Sequence, residues 1–332
     1  MPKSLIVPVV IVVVLIGGYF VMQKQQPEIS ELPLKLTVAS VDTPGFALFY
    51  IAQNKGFFKE ENLEITNKSF PRGIDALSNV LKGDSDLALT FETPVVRKIY
   101  EGGDLRVLSG MLTATKSVAV VGRKDKNISI PTDLKGKKIG VTKNSSHEFF
   151  LYSYLTSQGI RLSDVTIVDG EFKSLAGMLK EGAVDAVASG NPFLYDVKKE
   201  FPPEAITVFY SDSYTESALL SGRDDIVKSK KEGIIRFIRA LDKAERLYLS
   251  NNEEALEAVV GELPTFSEET IRGTWAEYTP TLILNNVLLT LLNREGQWFK
   301  DNGLYTTELP NFRNAALPDY LKTVKPDAVT IY

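Results

Sequence analysis

Two stretches of the chain, residues 77–90 and 175–189, show the same order of residue types. Each has leucines four apart, as at the end of an amphipathic helix, and then a glycine, Gly83 or Gly182, suited to the left-handed position after a helix. An aspartate three residues later leads into a short uncharged apolar run, which is typical of a strand covered by helices on both faces. We therefore predict two α/β lobes of similar build, with a cleft between them that binds a small ligand.

Strand-like and helix-like patterns alternate from residue 35 to residue 210, with short loops between them. This alternation predicts parallel sheets with right-handed crossovers. From residue 225 helical patterns dominate, and we expect this tail to pack on the first lobe. The predicted helices of the tail cover residues 232–248, 254–260, 268–278, 282–292 and 296–302.

The fold class that follows is α/β, with two lobes joined by a hinge. Lobe one is predicted to be discontinuous and to comprise residues 34–120 and 215–332, whereas lobe two comprises residues 121–214. Two crossings between the lobes, near Val121 and near Ser213, would form the hinge.

The N-terminal segment is a separate unit. Residues 5–22 carry no charge and as a helix would span about 27 Å, close to the roughly 30 Å of a bilayer core. A cleaved secretory signal is the alternative, but its apolar region would be unusually long and no small-x-small cleavage site is present. We predict an uncleaved membrane anchor over residues 1–24 and a polar tether over residues 25–33. The rest of the chain would then lie outside the cytoplasmic membrane.

Composition excludes several kinds of site. The chain has no cysteine, which rules out disulfides, thiolate metal sites and cysteine nucleophiles. His147 is the single histidine, so a multi-histidine metal site is impossible. The net charge of −4 gives no support for nucleic-acid binding, which calls for a basic face. We predict no metal, no cofactor and no nucleic-acid partner.

Four motifs occur in a fixed order: FYIAQNKGFFK at residues 49–59, LKGKKIGV at residues 134–141, GAVDA at residues 182–186, and Trp298 after a leucine-rich helix. In this order they resemble the extracytoplasmic solute-binding proteins of ABC importers, in the group that includes nitrate, sulfonate, taurine and thiamine-precursor binders. The resemblance covers residues 35 to about 304. It implies the type II periplasmic binding protein fold, no catalysis, a monomer, and a permease with its ATPase as partners.

Two other functions stay open on the same fold. One is a membrane-tethered ligand sensor that presents its closed form to a partner other than an importer. The other is a biosynthetic enzyme of the thiamine-precursor type. The pyrimidine-forming relatives rely on a cysteine cluster, however, and this chain has no cysteine.

Ligands of open α/β sheets bind beyond the carboxyl ends of the strands. That rule and the resemblance together nominate loop residues that follow predicted strands in both lobes. The candidate ligand-binding residues are Thr43, Phe46, Arg72, Phe91, Glu92, Thr93, Ser145, Ser146, His147, Asn191 and Pro192.

Some of these residues favour an anionic ligand. Ser145 and Ser146 precede a predicted helix, whose free N–H groups attract negative charge, and the resembled family contacts its ligand at this turn. Arg72 would pair with a carboxylate, sulfonate or phosphate. The carboxylate of Glu148, however, would compete for the same helix end.

Other residues favour a different ligand. Glu92, if it lies in the cleft, favours a cation or a ligand with hydroxyl or amine groups, and if it points to solvent it favours nothing. Thr43 offers a hydroxyl, Phe46 an aromatic wall and His147 a hydrogen-bond partner without a catalytic role. Thr93 stands where the resembled family places a small polar contact.

Each of these assignments has a structural alternative. Ser145 is then an ordinary helix cap, Phe46 packs its own helix, and Arg72 is a solvated surface residue. Asn191 and Pro192 would form a turn that starts the next helix.

Overall fold

The structure is a computed structural model that describes residues 32–331. The predicted membrane anchor, residues 1–24, lies outside the described residues, as does most of the predicted tether. In the part of the chain that is described, no helix is both long enough and apolar enough to cross a membrane.

Twelve strands are present among the described residues. They are β1 (Leu34–Val41), β2 (Leu63–Phe70), β3 (Leu87–Phe91), β4 (Leu105–Ala114), β5 (Val118–Arg123), β6 (Lys138–Val141), β7 (Thr166–Asp169), β8 (Ala186–Gly190), β9 (Ile206–Phe209), β10 (Glu216–Arg223), β11 (Thr279–Asn285) and β12 (Val329–Thr330).

Thirteen α-helices lie between and after these strands in residues 32–331. They are α1 (Ala47–Asn54), α2 (Phe57–Glu60), α3 (Gly73–Lys82), α4 (Glu92–Tyr100), α5 (Ser146–Ser157), α6 (Leu175–Lys180), α7 (Phe193–Lys199), α8 (Asp224–Ser229), α9 (Lys231–Ser250), α10 (Asn252–Glu262), α11 (Glu268–Trp275), α12 (Asn286–Asp301) and α13 (Pro318–Val324).

The strands form two sheets. The first has the order β12-β11-β4-β10-β3-β1-β2 and the second has the order β7-β6-β8-β5-β9. The chain enters the second sheet between β4 and β5 and returns between β9 and β10. The predicted lobe bounds stay a prediction, and β5 begins at Val118, ahead of the predicted boundary at residue 121.

Both sheets are mixed, whereas strand–helix alternation led us to expect parallel sheets. β1 is parallel to β2 and β3, but β10 is antiparallel to β3 and β4. In the second sheet β6 is parallel to β7 and β8, but β5 is antiparallel to β8 and β9. Strands β5 and β10, which are antiparallel to both of their neighbours, follow the two connections between the sheets, where no crossover helix intervenes. Strand β11 is antiparallel to β4 as well.

The repeated stretches perform the same structural task in each sheet. Gly83 and Gly182 both have positive φ, 85° and 76°. Asp86 Oδ2 accepts the backbone N–H of Thr37 at 2.8 Å, and Asp185 Oδ2 accepts that of Lys138 at 2.9 Å. Each aspartate therefore bonds to the neighbouring parallel strand, β1 or β6, directly before its own strand begins.

The C-terminal part packs against the first sheet and its helices. Helix α9 contacts α1, and the Phe58 and Phe237 rings stack with centroids 5.0 Å apart in the core. The predicted helix over residues 282–292 is corrected, since its start belongs to strand β11. In that strand Pro280, Leu282 and Leu284 are buried while the residues between them are less so. Asn285 then caps α12, because its side chain accepts the Leu288 N–H.

Candidate functional site

Two adjoining pockets lie where strands of both sheets end, with volumes of about 520 and 50 Å³. The outer pocket is lined by Val41, Asp42, Ser69, Phe70, Pro71, Arg72, Glu171, Phe172, Lys173, Ala176, Phe193, Asp196, Thr265 and Phe266. The inner pocket is lined by Val41, Asp42, Thr43, Gly73, Phe91, Pro94, Ser145, Ser146, His147, Phe172, Asn191, Pro192, Phe193 and Glu216. The shared residues Val41, Asp42, Phe172 and Phe193 make them parts of one cleft.

Most of the predicted site residues meet in this cleft. Arg72 lines the outer pocket, where its Nε lies 3.2 Å from Asp75 Oδ2. Those that line the inner pocket are Thr43, Phe91, Ser145, Ser146, His147, Asn191 and Pro192. Loops from the two sheets thus converge, as the strand-end rule requires of a ligand site.

Glu92, Thr93 and Phe46 line neither pocket, which corrects their predicted positions. Glu92 and Thr93 form the first turn of α4 and are completely buried. Phe46 is buried behind the pocket wall, with its ring centroid 5.4 Å from that of Phe91. These three side chains are therefore buried in the interior behind the pocket walls.

Glu92 lies neither in the cleft nor in water. Its Oε1 accepts the Tyr214 hydroxyl at 2.7 Å and its Oε2 accepts the Ser217 N–H at 2.9 Å. Thr93 donates to Glu295 Oε2 at 3.0 Å. Burial and the neighbouring Glu216 raise the pKa of Glu92 to about 8. Burial and the neighbouring Glu92 likewise raise the pKa of Glu295 well above its ordinary value.

These raised pKa values make stability depend on pH. The folded protein keeps protons on Glu92 and Glu295 that the unfolded chain releases above its ordinary glutamate pKa near 4.5, so stability is lost as the pH rises from there toward 8 and beyond. In Glu92→Gln the amide oxygen can accept the Ser217 N–H and its NH2 can donate to Tyr214. We expect this variant to match wild type in Tm at pH 5 and to exceed it by a few degrees at pH 9, at about 2–4 °C per kcal/mol.

Circular dichroism melting at both pH values measures this effect. Glu64→Gln is the control, because Glu64 is exposed on β2 and should leave the pH dependence of Tm unchanged. A Tm of Glu92→Gln that falls with pH as steeply as that of wild type would contradict the expected role of the Glu92 proton.

The N-terminus of α5 already holds a carboxylate. Ser145 caps the helix, since its Oγ accepts the Glu148 N–H at 3.4 Å. Glu148 Oε2 accepts the Asn144 N–H at 2.9 Å and an N–H of Arg97 at 2.8 Å, while its Oε1 accepts the Tyr152 hydroxyl at 2.9 Å. Glu148 therefore occupies the helix end at which an anionic ligand would otherwise bind, as the sequence led us to expect.

The predicted set of site residues missed several residues of the cleft, among them Asp42, Phe172, Phe193 and Glu216. Glu216 is the most buried of these four residues. It lines the inner pocket at 1% exposure, and its Oε2 accepts the Ser117 hydroxyl at 2.8 Å. Its Oε1 lies 3.7 Å from His147 Nε2. The sequence feature that could have identified it is its position directly before an uncharged run, residues 217–222.

Two further polar groups of the inner pocket are buried without partners. The Ser146 hydroxyl and His147 Nδ1 make no hydrogen bond within residues 32–331. Their residues are 3% and 7% exposed. Because buried polar groups are normally satisfied, these two indicate a ligand or solvent partner in the pocket.

Aromatic rings form the walls between the two pockets. The Phe172 and Phe193 rings stack at 5.6 Å, and His147 meets Phe172 edge-on at 5.0 Å. Phe266 packs edge-on against Phe193 at 5.3 Å at the outer side. The cleft thus combines apolar walls with a small polar inner end, as small-molecule sites commonly do.

Contacts across the cleft come from α7 and α11. Thr270 donates to Asp196 at 3.1 Å, and the Lys199 ammonium lies 2.8 Å from Glu269. Asn191 in the inner pocket donates to Glu277. Residues after β8 of the second sheet therefore contact residues just before β11 of the first sheet.

Residues 43–255 match the family model described as NMT1/THI5 like. The chain belongs to the NMT1/THI5-like family. The resemblance predicted from the sequence motifs is thereby confirmed. The NMT1/THI5-like chain is 30% identical over 232 residues to a putative thiamine biosynthesis protein of Haemophilus influenzae, covering 67% of this chain and 70% of that protein. It is 23% identical over 283 residues to the putative binding protein YtlA of Bacillus subtilis, covering 79% and 84%.

Solved structures of low identity share the fold of this NMT1/THI5-like protein. The aliphatic sulphonate binding protein SsuA of Escherichia coli has a TM-score of 0.73 at 18% identity, covering 85% of this chain and 97% of that one. SsuA of Xanthomonas axonopodis bound to MOPS has a TM-score of 0.74 at 16% identity, covering 87% and 99%. The desulfurization enzyme DSZB has a TM-score of 0.62 at 16% identity, covering 88% and 98%. The predicted two-lobed α/β periplasmic binding protein fold is confirmed by this likeness.

Proposed function

We propose that this protein is the substrate-binding component of an ABC importer. It captures a small organic or sulfonate-like solute outside the cytoplasmic membrane and delivers it to a permease with its ATPase. The observation that carries the proposal is the cleft between the two sheets, where Ser146 and His147 present buried, unpartnered polar atoms between aromatic walls. Family membership and the shared fold of sulfonate-binding proteins support it.

The proposed contacts are the predicted residues that line the cleft. They are Thr43, Arg72, Phe91, Ser145, Ser146, His147, Asn191 and Pro192. A solute bound between loops of both sheets would draw the two lobes together, a movement for which periplasmic binding proteins are known. The two connections between the sheets would then act as the hinge.

A solute screen on the purified full chain tests capture. The library contains sulfonates, carboxylates, amines and uncharged aromatic solutes, and each is scored by the shift in Tm. A solute that binds only the folded protein stabilises it by about 2.7 kcal/mol at a concentration one hundred times its Kd. We expect at least one class to raise the Tm, and a library without any stabilising solute would overturn the proposal.

Two further measurements separate the alternative functions. Since the fold is shared with an enzyme, the bound solute is recovered after denaturation and weighed by mass spectrometry; an importer component returns it unchanged. Uptake of that solute into vesicles that contain the cognate permease and ATPase is then measured with and without the protein. Uptake that does not depend on the protein would favour the tethered sensor.

A further inference from the structure

The charges of the inner pocket are unbalanced. Two carboxylates, Asp42 and Glu216, line it, and no arginine or lysine of residues 32–331 does. Arg72 and Lys173 line only the outer pocket, where Arg72 lies beside Asp75 and Lys173 beside Glu171. The inner end of the cleft is therefore a place for a positive or hydrogen-donating group.

Glu216 is held as an acceptor. Ser117 fixes its Oε2 at 2.8 Å, and within the described chain its one ion-pair neighbour is His147, whose Nε2 lies 3.7 Å from Oε1. A buried carboxylate is costly unless it is paired or hydrogen-bonded. A ligand N–H or ammonium at Oε1 would supply the missing partner.

An anion at the same place is opposed by Glu148, which already supplies negative charge to the N-terminus of α5. Arg97 is a nearby cation, but its Nη2 lies 2.8 Å from Glu148 and its guanidinium lies over the Phe299 ring. It does not line either pocket, so the described chain leaves no arginine or lysine at the inner end to pair with a sulfonate or carboxylate.

The remaining features of the pocket fit an amine with an apolar body. The inner volume of about 50 Å³ admits only a small head group. Ser146 Oγ and His147 Nδ1 are free to take part in hydrogen bonds. Phe172 and Phe193 line both pockets, and their stacked pair would form one wall along the body of the solute as it leaves the inner end. Aromatic faces also attract an ammonium group within about 6 Å of the ring centroid.

We infer that the solute carries an amino or ammonium group, which binds in the inner pocket with Glu216 Oε1 as its principal acceptor and Ser146 beside it. The body of the solute, apolar or aromatic, extends along the stacked Phe172 and Phe193 rings into the outer pocket. This inference rests on the proposed function, because it names the solute class for the same cleft.

The test uses matched solutes on the full chain at pH 7.5: benzylamine, benzyl alcohol and phenylmethanesulfonate, together with homologous series of each head group on other apolar bodies. Titration calorimetry gives the affinities. We expect the best amine to bind about tenfold or more tightly than its sulfonate counterpart. A sulfonate or alcohol that binds more tightly than its amine counterpart overturns the inference and leaves the proposed capture function intact. A complete lack of binding by every series overturns both.

Variants then locate the amine. Glu216→Gln is expected to weaken the best amine about tenfold or more and to change the matched alcohol less than threefold. Glu64→Gln, exposed on β2 and outside both pockets, should leave both affinities unchanged. If Glu216→Gln does not fold, Ser146→Ala provides the second readout, with an expected loss for the amine of about threefold to tenfold. Equal amine affinity in wild type and in the folded variant overturns the assignment of Glu216.

Discussion

Replacing Arg97 with methionine should lower the free energy of unfolding by about 3–5 kcal/mol. Arg97 is 8% exposed, and its Nη2 lies 2.8 Å from Glu148 Oε2. Methionine fills similar space but leaves Glu148 buried without its cation and removes the positive charge that lies near Glu295. Chemical denaturation with urea at pH 7.5 measures the loss.

Arg161 provides the matched control. It lies on the surface with 81% of its side chain exposed and pairs with Asp164. Arg161→Met should change the unfolding free energy by about 0.5 kcal/mol or less. The double variant Arg97→Met with Glu148→Gln should recover a large part of the loss, because the uncompensated carboxylate is then gone. A loss in Arg97→Met no larger than that in Arg161→Met would show that the cluster does not depend on this cation.

Replacing Gly190 with alanine should both destabilise the protein and disrupt the inner pocket. A Cβ at position 190 would lie 2.2 Å from Nε2 of His147, so the imidazole must move. Crowding of this kind costs about 1–3 kcal/mol. His147 borders the pocket, and its displacement should weaken solute binding about threefold to tenfold, as loss of a neutral hydrogen bond does. Tm and solute affinity are the two readouts.

Gly177 is the control for this substitution. It is exposed in helix α6, and a Cβ there meets no atom within 4 Å. Gly177→Ala should therefore stabilise the protein slightly, by about 0.5–1 kcal/mol. Adding His147→Ala to Gly190→Ala should restore the Tm, since the colliding ring is removed. A Gly190→Ala protein with unchanged Tm and affinity would mean that the two residues do not share this close contact.

The lobed α/β fold could be predicted from the sequence because each repeated stretch contains residues typical of a helix end followed by the start of a strand. A glycine with positive φ after a helix and an aspartate directly before the next strand are both visible in the sequence, and both occur twice. Strand direction is a different matter, because no periodicity distinguishes a parallel strand from an antiparallel one. The sequence predicts a helix over residues 282–292, which includes the end of strand β11, because Leu282 and Leu284 run directly into the leucines of α12.

The candidate site, too, could be predicted from the sequence only in part. The strand-end rule located the loops of the inner pocket, because it depends only on where strands stop. It does not state which way a first-turn side chain points, and Glu92 points inward. It also overlooks residues that open a strand. Because β10 is antiparallel to β3, its first residue, Glu216, lies at the edge where β3 ends.

Ser117 stands in the same relation to the second sheet, at the start of antiparallel β5 and beside the end of β8. Its hydrogen bond to Glu216 therefore joins the two connections between the sheets, from β4 to β5 and from β9 to β10. If Glu216 also binds the solute, as inferred above, one carboxylate would determine both solute selectivity and the rate at which the cleft opens. A substitution at position 216 would then change both properties together.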